Sequence, residues 1–221
     1  MNIDRIFIIN LEHRTDRKTK ITSELKRLEI NNYEFFKAIK PTEEAIIKWN
    51  PNFLNPMPVW FNGDASKYKI GSLGCMLSHL EIIKQCIAKK YKNVLILEDD
   101  TIFCINTGFT FDNVLSSLKP QITNLNFGLL YFAGNHINTQ PQQISNNIIK
   151  VNGSYTTGSY IINESVMEYI VQNIQGYNRE VDVYYANVIQ KLYPCYCTIP
   201  HLTKQDAGYS DIVHANVSYN L

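Results

Sequence analysis

Glu98-Asp99-Asp100 places three carboxylates in a row, directly after the apolar run NVLIL. Like charges this close repel, and burial adds a desolvation cost for each. Adjacent acids at the end of a strand suit a hard divalent cation, which takes oxygen ligands and admits phosphate oxygens into the same shell. A solvated turn with an N-capping Asp accounts for the same residues, and spacing alone does not separate the two.

Four further groups carry residue types suited to chemistry. Asn10-Leu11-x-x-Arg14-x-Asp16-Arg17 follows an apolar run. Two arginines about one helical turn apart there suit a diphosphate or a nucleotide base, and a surface helix with Asp16 in its first turn explains them equally. Gly71-x-x-Gly74-Cys75-x-x-Ser78-His79 is expected to open a long helix, where glycines permit close backbone approach and the helix N-terminus favours anions. It matches neither G-x-G-x-x-G nor a P-loop. His79 is read as either a phosphate donor or a buried structural histidine. Glu180-Val181-Asp182 begins a helix, so Asp182 is either a dipole complement or a positioned general base. Cys195-x-Cys197-x3-His201, with His214 beyond, superficially offers zinc ligands. The C-x-C spacing departs from C-x2–4-C, the two cysteines are expected to face apart on a strand, and the zinc reading is set aside.

The elements that must position these residues follow from hydrophobic periodicity. Strands are expected over residues 4–10, 33–39, 93–97, 127–133, 155–162 and 195–199. Helices are expected over 15–28, from Pro41 onward, and over 72–90, 165–173 and 181–192. Residues 50–66, with Pro51, Pro56, Pro58 and Asn62-Gly63-Asp64, are expected to form a loop. The aromatics Trp49, Phe53, Trp60 and Phe61 make it either a lid or a packed surface loop. Strands alternating with helices predict an α/β sheet with helices on both faces, and ligands in such sheets bind beyond the carboxyl ends of the strands.

Composition narrows the function classes. The 221 residues allow one domain or a large domain with an appendage. A formal net charge of +1 argues against a polybasic nucleic-acid binder. Five cysteines are too few, and odd in number, for a secreted disulfide framework. The opening MNIDRIFIINLEHR lacks the apolar stretch of a signal peptide, and no window approaches about 18–20 apolar residues. A reducing cytosol is the expected compartment, bacterial or that of a virus's host, and the sequons at Asn152, Asn163 and Asn216 are read as chance.

In this order the motifs resemble glycosyltransferase family 25, which includes bacterial lipopolysaccharide galactosyltransferases and procollagen galactosyltransferase domains. The matching pieces are Asn10-Leu11/Arg14/Asp16/Arg17, Gly71 through His79, Leu97-Glu98-Asp99-Asp100, Thr157-Gly158-Ser159-Tyr160-Ile161-Ile162, Val181-Asp182, and Gln205 with Ser210-Asp211. They span about residues 5–212. No single piece is decisive, but six weak signals in one order make coincidence improbable.

The resemblance implies a GT-A-type, Rossmann-like mixed sheet flanked by helices, in one domain. A nucleotide-sugar-binding half would cover about residues 1–105 and an acceptor-binding half about 106–221. It implies an inverting transfer, dependent on Mn²⁺ or Mg²⁺, of a hexose (galactose, or glucose) from a UDP-sugar to a hydroxyl of a glycan, glycolipid or glycoprotein. The other reading is an inactive module that binds a nucleotide sugar or glycan. By resemblance Asp100 is the direct metal ligand, assisted by Glu98 or Asp99. Arg14 and Arg17, with Asn10, Leu11, His79 and Asp99, attend the donor, and residues 157–160 wall the sugar pocket. Asp182 is the first choice for catalytic base; Asp211 is the second, as either base or metal-pocket residue. The loop around Trp60 closes over donor or acceptor. No nucleic acid or transmembrane segment is implied, and contact with a membrane would be peripheral.

Overall fold

The computed structural model describes residues 2–136 and 140–218. From β1 (Arg5–Asn10) the chain runs through α1 (Thr15–Arg27), β2 (Tyr33–Lys37), α2 (Glu43–Trp49), α3 (Ala65–Lys89) and β3 (Asn93–Glu98). Then come β4 (Thr101–Phe103), α4 (Phe111–Ile122), β5 (Leu129–Tyr131), β6 (Gln142–Ser145), β7 (Ile148–Val151), β8 (Ser159–Asn163) and α5 (Glu164–Asn173). A short α6 (Val181–Tyr184) continues through a π turn (Tyr185–Ile189) into α7 (Gln190–Leu192). The remaining strands are β9 (Cys195–Thr198), β10 (Thr203–Gln205), β11 (Gly208–Ser210) and β12 (Ala215–Val217).

Eight strands form one mixed sheet in the order β2-β1-β3-β8-β5-β9-β7-β6. β1 pairs in parallel with β2 on one side and β3 on the other, so the strand order reverses at β1. β8 is antiparallel to both β3 and β5. The pairs β4–β10 and β11–β12 form two small antiparallel ribbons.

Side-chain alternation builds a core on each face of the sheet. Phe7, Ile9, Val94 and Ile96 pack with α3 and α5 residues such as Leu73, Ile83 and Val166. Ile6, Ile8, Leu95 and Leu97 pack with Ile21 and Leu25 of α1 and Leu118 and Ile122 of α4. Burying each such side chain contributes about 1.5–3 kcal/mol. A one-residue slip of β1 or β3 would exchange the two sets, so the pattern fixes register and with it the depth of the residues that follow each strand.

Several elements depart from the sequence expectations. α3 starts at Ala65, not residue 72, because the Asp64 carboxylate caps it, accepting from Ser66 N at 3.0 Å and Lys67 N at 3.2 Å. Gly71 and Gly74 therefore lie inside the helix and offer no N-terminal anion site. They serve close packing instead. A Cβ on Gly74 would meet Ile39 O at 2.5 Å, and one on Gly71 would meet Ile212 Cα at 2.9 Å. Within the expected loop, Phe53 is fully buried; Trp49 ends α2, buried, and donates from Nε1 to Tyr177 O at 2.9 Å. β5 and β8 are shorter than expected, and Tyr155 makes an isolated bridge to Asn135. Cys195 and Cys197 share one face, with Tyr196 on the other, because residues two apart on a strand point the same way. The expectation that they face apart is thus corrected.

Candidate functional site

Beyond the carboxyl ends of β1, β2 and β3 lies a cavity of about 570 Å³. Leu11, Ala38 and Ile39 form its apolar side, Glu98, Asp99 and Asp100 its acidic floor, and the segment 205–214 its far wall. It opens where the strand order reverses, the usual place for a ligand in such a sheet. The glycine face of α3 makes it possible: Gly74 admits Ile39 and Gly71 admits Ile212. Ser78 Oγ accepts from Ile39 N at 2.8 Å and donates to Gly74 O at 2.7 Å, pinning that wall to the helix.

The three acids have different partners. Asp99 is buried; its Oδ2 accepts from Asn10 Nδ2 at 2.7 Å and its Oδ1 from Arg17 at 2.9 Å. Arg17 also reaches Asp100 Oδ2 at 3.4 Å and donates to Tyr209 O at 2.7 Å. Its guanidinium is thus engaged by the protein, although it lines the cavity. Glu98 Oε1 accepts from Thr157 Oγ1 at 2.9 Å and lies 3.4 Å from His79 Nε2. His79 is fully buried, with Nδ1 2.8 Å from Tyr160 Oη. Asp100 keeps one buried oxygen, Oδ1, without a hydrogen-bond partner.

These surroundings separate the charges. Burial pushes the Glu98 carboxyl up, but His79, then Thr157 and Arg17, outweigh it and hold the group below its ordinary value. Burial and the Glu98 charge push Asp100 up to about 7. Burial raises Asp99 despite Arg17 and Asn10. A buried carboxylate oxygen with no partner, beside a second acid kept ionised, is a donor set that fits a hard divalent cation.

Asp182 does not line the cavity among the described residues. It starts α6, accepting from Val183 N at 2.8 Å and Thr156 N at 3.3 Å. Burial, then the Glu180 charge, push it up to about 6. The Cys75 thiol lies within electrostatic reach of both Glu98 and Asp182, and burial with those charges holds it well above its ordinary range. Asp211 does line the cavity; Arg14 donates to it and His13 Nε2 lies 3.5 Å away. Arg14 instead lines a neighbouring hollow of about 310 Å³ with Asp16, Lys20 and residues 206–209. Residues 157–160 do not line the main cavity; they brace the acids. Thr157 holds Glu98, and Gly158 O accepts from Glu98 N at 2.8 Å and Thr101 Oγ1 at 2.9 Å. Trp60 is 63% exposed, outside the cavity, and packs edge-on against Tyr68, whose hydroxyl donates to Glu180 at 2.9 Å.

Sequence reasoning missed Lys40 and Lys67, which line the cavity, because isolated lysines carry no local signal. It also missed Tyr160 as the partner of His79 and Glu180 as the charge beside Asp182. The first depends on a pairing between distant segments; the second is local, two residues along the chain, and acts through the burial of Asp182.

The sequence profile of glycosyltransferase family 25 (LPS biosynthesis protein) matches residues 3–185. A glycosyltransferase 25 family member of Drosophila melanogaster is 28% identical over 168 residues, covering 73% of this chain and 26% of the relative. The procollagen lysyl hydroxylase and glycosyltransferase of Acanthamoeba polyphaga mimivirus is 31% identical over 173 residues, covering 72% of this chain and 18% of the relative. The chain thus spans about a quarter or less of the length of these relatives. A UDP-glucose pyrophosphorylase solved with UDP-glucose has a TM-score of 0.50 at 6% identity, over 96% of this chain and 94% of the other, which is a likeness of fold. No helix among the described residues is long and apolar enough to cross a membrane.

Proposed function

The chain belongs to glycosyltransferase family 25, and from that premise we propose that it transfers a hexose, galactose or glucose, from a UDP-sugar to a glycan or glycoconjugate hydroxyl. The observation that carries this reading is the cavity where the strand order reverses, with Asp100 Oδ1 buried and unpartnered on its floor. Asp100, with Glu98, would hold Mn²⁺ or Mg²⁺, which would supply positive charge against that of a leaving diphosphate.

The chain's own residues do the rest. Leu11, Ala38 and Ile39 offer an apolar wall to the donor, and Lys40 and Lys67 offer positive charge at the rim. Asn10 and Arg17 hold Asp99, so these three form the frame on which Asp100 sits. His79 keeps Glu98 ionised. Arg14 anchors Asp211, which serves the pocket by position. Donor binding then rests on residues 1–105 with the segment 205–214, and acceptor binding on the rest of 106–221.

Asp182 is the proposed base. A carboxyl pushed up to about 6 is ionised at neutral pH yet basic enough to take a proton. It accepts the proton of the acceptor hydroxyl as that oxygen bonds to the sugar C1 and the bond from C1 to the diphosphate oxygen breaks, inverting C1. Trp60, joined to this side through Tyr68 and Glu180, offers an exposed ring for an acceptor sugar to stack on. A cytosolic setting is part of the proposal, in keeping with five free thiols, three of them buried.

One observation favours a second reading, a module that binds a nucleotide sugar without turnover: Asp182 lies outside the cavity lining. UDP release from a panel of UDP-sugars, with and without Mn²⁺, tests the proposal. Metal-dependent consumption of one donor supports transfer, and binding without consumption in the presence of any acceptor supports the module.

A further inference from the structure

A second cluster of metal-ligating side chains lies apart from the acidic turn and shares no residue with it. Ligand atoms of His136, Cys197 and His201 all fall within 4.8 Å of one another. Cys197 sits on β9 opposite Tyr131 of β5; His136 follows β5, and His201 follows β9. The segment carrying Cys197 and His201 is tied down: Thr198 Oγ1 and Leu202 N both donate to Phe132 O, at 3.1 and 2.8 Å.

The surroundings of His136 resemble those of a held ligand. Its Nδ1 lies 2.9 Å from Ser154 Oγ, and its Nε2 is buried with no hydrogen-bond partner. Ser154 is itself fixed at both backbone groups by Gln190, whose Oε1 accepts from Ser154 N at 2.9 Å and whose Nε2 donates to Ser154 O at 2.6 Å. Gly134 makes the contact possible, since a Cβ there would lie 2.4 Å from Ser154 Oγ and 3.0 Å from His136 Cε1. Metal-bound histidines characteristically donate their other ring N–H to a carboxylate, carbonyl or water oxygen, which fixes the ring and turns the free lone pair toward the metal; the Ser154 hydroxyl stands in that place here.

We propose that His136, Cys197 and His201 bind a transition-metal cation of zinc type, separate from the carboxylate site. Two imidazoles and a thiolate are the donor set of borderline-soft metals and not of Mg²⁺ or Ca²⁺. Bonds of about 2.0–2.1 Å to nitrogen and about 2.3 Å to sulfur require the three atoms to close to roughly 3.5 Å. His201 is partly buried and lies outside any helix or strand, so that movement is assigned to it. Binding breaks the Cys197 S–H bond, forms the metal–sulfur bond and passes the proton to water. The ion would staple the end of β9 to the segment after β5.

The test is a Co²⁺ titration of the whole chelator-stripped protein, followed by displacement with Zn²⁺. The expected result is one equivalent of Co²⁺ with a thiolate-to-cobalt charge-transfer band that Zn²⁺ abolishes and Cys197→Ser lacks. Ser154→Ala should weaken binding about 10–100-fold, as loss of an outer-shell partner does. His201→Ala, a change at a partly exposed ring, should weaken it more, and it replaces the cysteine variant if that fails to fold. The band should persist in Asp100→Asn. No thiolate band in the wild-type protein, or one that survives both Cys197→Ser and His201→Ala, overturns the site.

Discussion

Arg17 and Asp99 stand 82 residues apart in sequence, yet a guanidinium nitrogen of one lies 2.9 Å from a carboxylate oxygen of the other. The pair locks α1 to the turn after β3, across the point where β1 separates β2 from β3. An arginine that the resemblance assigned to the donor thus has a structural duty in this chain.

Removing Arg17 leaves Asp99 buried with Asn10 as its remaining side-chain partner. Breaking a buried pair from one side costs about 3–5 kcal/mol, and the partial exposure of Arg17 favours the lower end. Arg17→Ala should therefore lower Tm by about 6–12 °C in a chain of this size, with Arg17→Lys losing less. Thermal unfolding of the two variants checks this, and an unchanged Tm would remove the structural role.

Asp100 gives stability a pH signature. Its carboxyl is pushed up to about 7 from an ordinary 3.8, so the folded state holds a proton that the unfolded chain has released. That contribution is complete below about pH 4 and fades as pH rises through about 7. A divalent cation competes with the proton, so Mn²⁺ should raise Tm clearly near pH 8 and little near pH 5. Asp100→Asn should flatten the pH dependence and abolish the Mn²⁺ increment. An equal increment at both pH values, or one retained in the variant, speaks against Asp100 as ligand.

Asp182, raised to about 6, should impose an acid limb on kcat/KM. Activity rises with pH as the carboxyl ionises and levels off above that value. Glu180→Gln removes the second cause of the shift, so the limb should move to lower pH. Asp182→Asn should lower kcat by about 10²–10⁴-fold with donor affinity unchanged. A limb that stays in place in Glu180→Gln, together with an active Asp182→Asn, would assign the base elsewhere.

Trp60 provides a way to tell acceptor from donor. Trp60→Ala should raise the acceptor KM several-fold and leave donor hydrolysis in water unchanged. Steady-state kinetics with acceptor varied makes the comparison; an unaltered acceptor KM would leave the ring with its packing role against Phe61 and Tyr68 alone.

Much of the sheet was legible because β1 and β3 are short, uniformly apolar runs bounded by polar residues, and alternation then fixes what lies on each face. The acidic turn was legible because three adjacent carboxylates need an explanation. What escaped was long-range. The cap at Asp64 moved the start of α3 to Ala65, and the glycines changed from an anion site to a packing face that only Ile39 and Ile212 explain. His79 left two readings open until Tyr160 and Glu98 appeared on either side of its ring. Residues 157–160 resembled a pocket wall but face the acids from behind. Cys197 and His201 gained meaning only when β5 brought His136 beside them.

The most direct test of the central claim is UDP release by the wild-type chain and by Asp100→Asn, side by side, over a panel of UDP-sugars with and without Mn²⁺. Slow consumption of one donor by the wild type in Mn²⁺, lost without the ion and in the variant, is the predicted result. A wild-type chain that neither consumes nor binds any UDP-sugar in Mn²⁺, or a variant that consumes the donor as fast as the wild type, would contradict the account.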